Sequence, residues 1–489
     1  MKVSLTELKE KSGIGFGTSG IRGLIGDLTD YVCYSYTKAF VEFLRQKNDL
    51  KKGQIAIAGD LRESTDRIMA TMAKAIEDQD LTVINCGRIP TPAVTYYGTV
   101  NGMPTIMITG SHIPADRNGI KYNLSGREIV KEDEAVISGM EVEIDETLFD
   151  ENGSLKEAGI LPKTETAAEE IYKKRYLEFF PTDMLANKKI GLYGHSAVGR
   201  EIIEEVLQKL GAEVVRLDFS DSFVPVDTEA VEADLIEKGR NWSRQYGLDA
   251  IVTTDGDSDR PLLADENGNW LRADTSGILV AKYLGARTAV VPVSCNTALE
   301  KSGVVLKTKR VKVGSPYVVA GMMELMAQGA EKVIGYEANG GFLVGKGFEK
   351  DGRKLDQLLT RDALLVLLSV LALAGKGKVS KTVANLPQRF TSSGSVKGFP
   401  IDLSLKILSN LGVDKEKISQ ALGSGWEEIR EVNSLDGLRI TFVNDRIVHF
   451  RPSRNSPEFR NYVEAESEEE ARKLSEKANG VLLSWQNKK

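Results

Sequence analysis

At 489 residues the chain is too long for one hydrophobic core, and three or four domains are expected. Hydrophobic residues at 41%, charged residues at 27% and a formal net charge of −6 describe an ordinary globular protein. They argue against whole-molecule attraction to nucleic acid or an anionic membrane, while leaving room for a basic cleft. Cys33, Cys86 and Cys295 are widely separated and offer neither a disulfide framework nor a CxxC metal spacing.

In chain order, the polar stretch Met1 to Lys11 is no signal peptide, so a cytoplasmic location is expected. Gly13 to Gly23 follows as G-I-G-F-G-T-S-G-I-R-G, in which Gly15, Gly17 and Gly20 match the dinucleotide fingerprint G-x-G-x-x-G. No strand precedes the match, so an anion contact through Thr18, Ser19 and Arg22 fits better, with a plain glycine-rich connector as the alternative. A strand at Gln54 to Ala58, a polar loop, a helix and a returning strand at Leu81 to Ile84 form a βαβ unit. The pattern returns at Lys189 to Leu217, and a third copy begins at Thr288 to Val293, which predicts three related α/β domains. Ala363 to Ala374 is too short to span a bilayer and reads as a core helix. From Pro400 onward, amphipathic segments at Leu403 to Leu411 and Lys415 to Leu422 precede short strands at Leu438 to Val443 and Ile447 to Phe450. The fold class expected is therefore α/β: three similar domains plus a smaller C-terminal α+β domain. The boundaries are drawn at 1–160, 161–270, 271–390 and 391–489.

Five loops carry candidate chemistry. Thr109 to Tyr122 reads T-G-S-H-I-P-A-D-R-N-G-I-K-Y after the apolar strand Ile106 to Ile108, with Asn118-Gly119 as the expected reversal before a second strand. Ser111 then stands at a strand end beside His112, one hairpin from Lys121, an arrangement suited to transfer of a charged group; a bland surface hairpin is the alternative. Asp255, Asp257 and Asp259 alternate directly after the strand Ala250 to Val252, and three such carboxylates suit Mg²⁺. Glu266 falls at the twelfth position of an EF-hand, but Arg260 stands where that motif needs glycine, which excludes it. Lys312 in a basic, glycine-containing loop fits phosphate binding and a solvated basic face equally. Glu337 and Asn339, in the turn Gly335 to Gly341, suit paired sugar hydroxyls. Arg451, Ser453, Asn455 and Ser456 offer guanidinium, hydroxyl and amide donors for phosphate.

Together these stretches resemble the α-D-phosphohexomutase family over nearly the whole chain, with four motifs in the family's order. The family's serine loop is similar to Thr109 to Lys121, its metal loop to Asp255 to Arg260, its sugar loop to Gly335 to Gly341, and its phosphate loop to Arg451 to Pro457. The departures are Gly110 for alanine, Ile113 for asparagine, Asn339 for serine, Gly341 for histidine, and Arg454, Asn455 and Ser456 for glycine, threonine and glutamate.

The resemblance implies domains around one central cleft. It implies reversible phosphoryl transfer between C1 and C6 of a hexose phosphate through phospho-Ser111 and a bisphosphate intermediate. Mg²⁺ would sit on Ser111, Asp255, Asp257 and Asp259, with a hexose 1,6-bisphosphate as activator. Lys121 would be the general acid/base, with Arg22 and His112 close by. Thr18, Ser19, Arg260, Lys312, Glu337, Asn339, Arg451, Ser453, Asn455 and Ser456 would bind substrate. Mannose phosphate is the first expectation and glucose phosphate a second, with glucosamine phosphate as the alternative. A bisphosphate synthase or phosphatase on the same serine, and a non-catalytic sensor, are the readings from other classes. A monomer or homodimer is expected, with no nucleic-acid or membrane partner.

Overall fold

Strands Gln54–Gly59, Ala250–Thr254, Thr288–Pro292 and Val333–Tyr336 are buried along nearly their whole length, as strands covered by helices on both faces must be. The structure is a computed structural model, and it describes residues 1–17, 20–453 and 457–487. Three of its sheets share one plan. In the first, Thr82–Arg88, Gln54–Gly59 and Thr105–Ile108 lie side by side in parallel, and Arg117–Leu124 returns antiparallel beside Thr105–Ile108. The second repeats this order with Glu213–Phe219, Lys189–His195, Ala250–Thr254 and the antiparallel Pro261–Ala264. The third does so with Lys307–Val311, Thr288–Pro292, Val333–Tyr336 and the antiparallel Phe342–Val344. Helices make the crossovers, as parallel pairing requires. They are Thr65–Glu77 and Thr91–Asn101, then Arg200–Lys209 and Ala233–Tyr246, then Ala298–Ser302 and Ser315–Ala327.

This plan has one consequence for function. In each unit the turn from the last parallel strand to its antiparallel partner falls at a carboxyl end of the sheet. Those turns are residues 109–116, 255–260 and 337–341, so three of the chemistry-bearing loops occupy the same place in three sheets.

The expected reversal at Asn118-Gly119 is corrected. Both residues lie inside Arg117–Leu124, where Gly119 pairs with Arg22 and Asn118 with Gly23. A side chain on Gly119 would meet the Ile21 carbonyl at 2.4 Å and the Thr109 carbonyl at 2.8 Å, so this glycine serves close backbone approach rather than a turn. The chain reverses earlier, after Gly110.

The C-terminal sheet is antiparallel throughout, in the order Phe390–Lys397, Glu458–Ala465, Ile447–Pro452, Leu438–Phe442 and Ile429–Asn433. Ile401–Leu411 and Lys415–Leu422 are helices as expected, and the 20-residue helix Glu468–Asn487 joins them. Its core, Val396 to Trp485, belongs to that sheet and its helices alone. The three α/β units instead share one continuous cluster from Ala56 to Leu386. Helix Ala363–Ala374 is buried there from Ala363 to Leu371, which explains why it is apolar on every side.

Candidate active site

Ser111 is fully buried and has φ +56°, in the left-handed region that non-glycine residues rarely occupy. Its Oγ donates to Asp255 Oδ2 at 2.6 Å, and its own N–H donates to Thr109 Oγ1 at 2.7 Å. Beneath the loop lies Arg62, 1% exposed. Its guanidinium donates to the carbonyls of Pro114 (2.7 Å), Arg117 (2.8 Å), Ser111 (3.1 Å) and Ile113 (2.6 Å), and its Nε to Asp60 Oδ2 (3.2 Å). Gly110 is set by this cradle, because a Cβ there would lie 2.6 Å from Arg62 Cζ.

Asp255, Asp257 and Asp259 are all fully buried, and one carboxylate oxygen from each lies within 4.8 Å of the others. The main-chain N–H groups of Asp259 and Arg260 donate to Asp255 Oδ1 at 3.2 and 3.1 Å, which folds the loop around that carboxylate. Lys121 Nζ donates to Asp259 Oδ2 at 2.6 Å and also to Asp257 Oδ2, which additionally accepts from Thr91 Oγ1. Burial, then the charges of Asp257 and Asp259, push the Asp255 carboxyl up; against its own burial, Lys121 holds Asp257 below the usual carboxylate range. Asp257 Oδ1 and Asp259 Oδ1 are buried with no hydrogen-bond partner among the described residues. Oxygen-only donors with spare acceptors fit a hard divalent cation.

His112 Nδ1 lies 2.8 Å from Arg260 Nη1 and 3.3 Å from Ser111 Oγ. Arginine only donates, so Nδ1 is the acceptor and the proton sits on Nε2. Burial, with Arg260 and Arg22 beside it, pushes the imidazole down to about 2, so His112 is neutral. Half-buried Arg22 is lowered to about 10, by desolvation first and then by the charges of Arg260 and Arg361.

Glu337 is 4% exposed and Asn339 7%. Asn339 Oδ1 accepts from Gly341 N at 3.0 Å, while its carbonyl accepts from Thr228 Oγ1 of the preceding unit at 2.8 Å. Arg361 Nη1 donates to Glu337 Oε2 at 3.3 Å, and its Nη2 lies 2.9 Å from Asp259 Oδ2. This one side chain therefore joins the metal and sugar loops.

A cleft of about 600 Å³ opens between the units, lined by Arg22, His112, Arg260, Glu337, Asn339 and Arg361 on one side. Across it stand Ser393, Ser395, Arg451 and Arg460 of the C-terminal unit. Arg451 Nε donates to Asp436 Oδ2 at 3.0 Å, and the same oxygen accepts from Val313 N at 3.0 Å, which ties the basic loop to Arg451. Ser453 N donates to the Glu458 carbonyl at 2.8 Å. Lys312 Nζ lies 5.8 Å from the centre of the Tyr317 ring, and Val313 and Ser315 beside it line the cleft. Thr18, Ser19, Asn455 and Ser456 lie outside the described residues. Glu266 accepts from Ser380 N at 3.2 Å, a contact with the distant helix Val379–Ala384. Thr91, Arg62 and Arg361 lie in no chemistry-bearing motif of the sequence; each reaches the site from another segment of the chain.

The models for phosphoglucomutase/phosphomannomutase alpha/beta/alpha domains I, II and III match residues 13–147, 172–268 and 272–390. The chain is 40% identical over 467 residues to a phosphomannomutase of Salmonella muenchen, covering 94% of each chain. It is 28% identical over 490 residues to a phosphoglucosamine mutase of Thermotoga sp. (strain RQ2), covering 96% of this chain and 99% of the relative. Its fold is that of a phosphoglucomutase/phosphomannomutase family protein from Burkholderia thailandensis, with TM-score 0.72, 20% identity and 96% and 98% of the two chains covered. Three matched domain models over most of the chain, with their loops meeting at one cleft, show that the chain belongs to the α-D-phosphohexomutase family.

Proposed function

We propose that this protein is a phosphomannomutase that moves a phosphoryl group between the C1 and C6 oxygens of mannose phosphate. The observation that carries the reading is the buried Ser111 hydroxyl, 2.6 Å from Asp255 at the edge of three converging carboxylates. The 40% identical relative named as a phosphomannomutase supports the choice of mannose over glucosamine.

Phospho-Ser111 transfers its phosphoryl to the free hydroxyl of the bound hexose phosphate. The P–Oγ bond breaks and a P–O bond to the sugar forms, giving a bisphosphate. The sugar turns end for end, and Ser111 takes back the other phosphoryl. Lys121 moves the hydroxyl proton, and its short bonds to Asp257 and Asp259 hold its amine at that point. Asp255, Asp257 and Asp259, with the serine oxygen, would hold Mg²⁺, which when bound neutralises phosphoryl charge. His112, neutral and held by Arg260, orients the serine side of the cleft. Glu337 and Asn339 read sugar hydroxyls. Arg451, Ser453, Asn455 and Ser456 clamp the distal phosphate, and Thr18 and Ser19 also bind substrate. The enzyme acts in the cytoplasm as a monomer or homodimer, and a trace of hexose 1,6-bisphosphate primes Ser111.

The test is a ³¹P NMR time course on mannose 1-phosphate with Mg²⁺ and a trace of bisphosphate. Growth of a 6-phosphate signal without free phosphate is expected, and Ser111→Ala abolishes multiple turnover. Turnover of glucosamine phosphate in its place overturns the substrate; release of inorganic phosphate overturns the mutase.

A further inference from the structure

Arg361 is 1% exposed yet faces the cleft, and its Nε and Nη2 have no hydrogen-bond partner among the described residues. Nη2 stands 2.9 Å from Asp259 Oδ2 without the alignment of a hydrogen bond, and only Nη1 donates, to Glu337 at 3.3 Å. A buried guanidinium with spare donors is built for an anionic oxygen. It bridges Asp259 of the metal loop and Glu337 of the sugar loop, in the cleft that His112 of the serine loop also lines.

A second observation explains how Arg361 comes to be there. Its stem fills the space above Gly341: a Cβ at that glycine would lie 2.3 Å from Arg361 Cδ, 2.5 Å from Cγ and 3.1 Å from Cβ. Gly341 has no positive φ, so its bareness serves packing and not backbone conformation. The guanidinium is also braced from behind. Glu128 accepts from Ser315 at 2.7 Å and Thr360 at 2.5 Å, locking the residue next to Arg361 to the first unit.

We propose that Arg361 is a catalytic residue of the phosphoryl transfer, donating Nε–H and Nη2–H to a non-bridging oxygen of the phosphoryl group in flight, and that Gly341 is the opening that admits it. Charge on the transferring group spreads over its outer oxygens, and a fixed planar donor pair answers that charge without giving up a proton. Lysine cannot reproduce the fork. The inference rests on the mutase reading above.

The test uses Arg361→Lys, Arg361→Met, Gly341→Ala and the double variant Gly341→Ala/Arg361→Lys, each checked for folding by circular dichroism and thermal melting. Steady-state kcat and KM are measured for mannose 1-phosphate, with single-turnover phosphorylation of Ser111 by hexose 1,6-bisphosphate followed by intact mass. Arg361→Lys is expected to lower kcat about 100-fold. KM should stay within about threefold, and Ser111 phosphorylation should slow by the same factor as kcat. Gly341→Ala should reproduce the defect, and the double variant should be no worse than either single one. A folded Arg361→Lys with wild-type kcat, a loss confined to KM, or fully additive losses overturns the inference. If both Arg361 variants fail to fold, Gly341→Ala decides, since it leaves every charged partner in place. A wild-type protein that phosphorylates Ser111 but produces no 6-phosphate removes the mutase reading; Arg361 is then judged by the phosphorylation rate alone.

Discussion

At Ser111 the backbone holds a left-handed conformation that costs about 1–3 kcal/mol for a residue with a side chain. The Arg62 cradle and the Asp255 hydrogen bond compensate, leaving the hydroxyl pointed at the carboxylate triad. Asp257→Asn is expected to raise the Mg²⁺ concentration needed for half-maximal rate by at least about tenfold. An unchanged Mg²⁺ titration would separate that carboxylate from the metal. Two buried histidines outside the serine loop set a pH dependence of stability. His195 and His449 are buried and donate from Nε2 to the carbonyls of Thr254 (2.8 Å) and Asp436 (2.6 Å). Burial holds each at about 4 in the folded protein, below the usual 6.5. A lowered folded pKa means that the unfolded chain binds more protons between those values, so stability is present above pH 6.5 and lost as pH falls toward 4. The loss is on the order of 2 kcal/mol per histidine by pH 5, read as a lower urea midpoint. His449→Gln should flatten that decline, and an equally steep decline in the variant refutes the assignment.

Among the elements, the three hairpin turns at residues 109–116, 255–260 and 337–341 are the repeated device, and each is stiffened differently. The first is hung on a side chain, the second wraps its own Asp255, and the third is pinned by Thr228. The first is thus the most exposed to a single substitution. Arg62→Met leaves Asp60 buried without its cation and five bonds unmade, and a loss of about 3–5 kcal/mol in unfolding free energy is expected. Amide exchange at Gly110, Ile113 and Arg117 should speed up more than in Gln54–Gly59, a strand of the same sheet. Uniform acceleration would mean that Arg62 stabilises the unit and not its loop.

For the whole molecule, the division of the core sets the mechanics. The α/β units share one apolar cluster, whereas the C-terminal unit keeps its own and meets its neighbours largely through polar contacts. Those contacts include Arg389 Nε to Glu464 Oε1 at 2.6 Å, Lys301 Nζ to Asp445 Oδ2 at 2.6 Å and Val313 N to Asp436 Oδ2 at 3.0 Å. Polar seams of this kind permit relative motion. Scanning calorimetry should show two transitions, one for the shared core and one for the C-terminal unit. Small-angle scattering should show a smaller radius of gyration with hexose 1,6-bisphosphate bound, as the Arg451 side of the cleft closes. A single transition and an unchanged radius would describe a rigid body. No helix among the described residues is long and apolar enough to cross a membrane, in keeping with the short apolar run at Ala363–Ala374.

Forces of short range along the chain leave a local signature, and contacts between distant segments do not. The repeated βαβ pattern, the C-terminal α+β texture and the alternation of Asp255, Asp257 and Asp259 are local: strand period, turn chemistry and residue spacing specify them within a dozen residues. For that reason the loops were legible in order, and Lys415–Leu422 and Ala363–Ala374 have the limits their hydrophobic pattern predicts. Asn118-Gly119 shows the boundary of that reasoning, because a glycine needed for backbone approach looks the same in sequence as one needed for a turn. Only the tertiary structure decided that Arg62 lies under Ser111, that Thr91 and Lys121 meet Asp257, and that Arg361 fills the space over Gly341. These partners are 20 to 166 residues apart, and their meeting depends on how the units pack together, which no local pattern encodes.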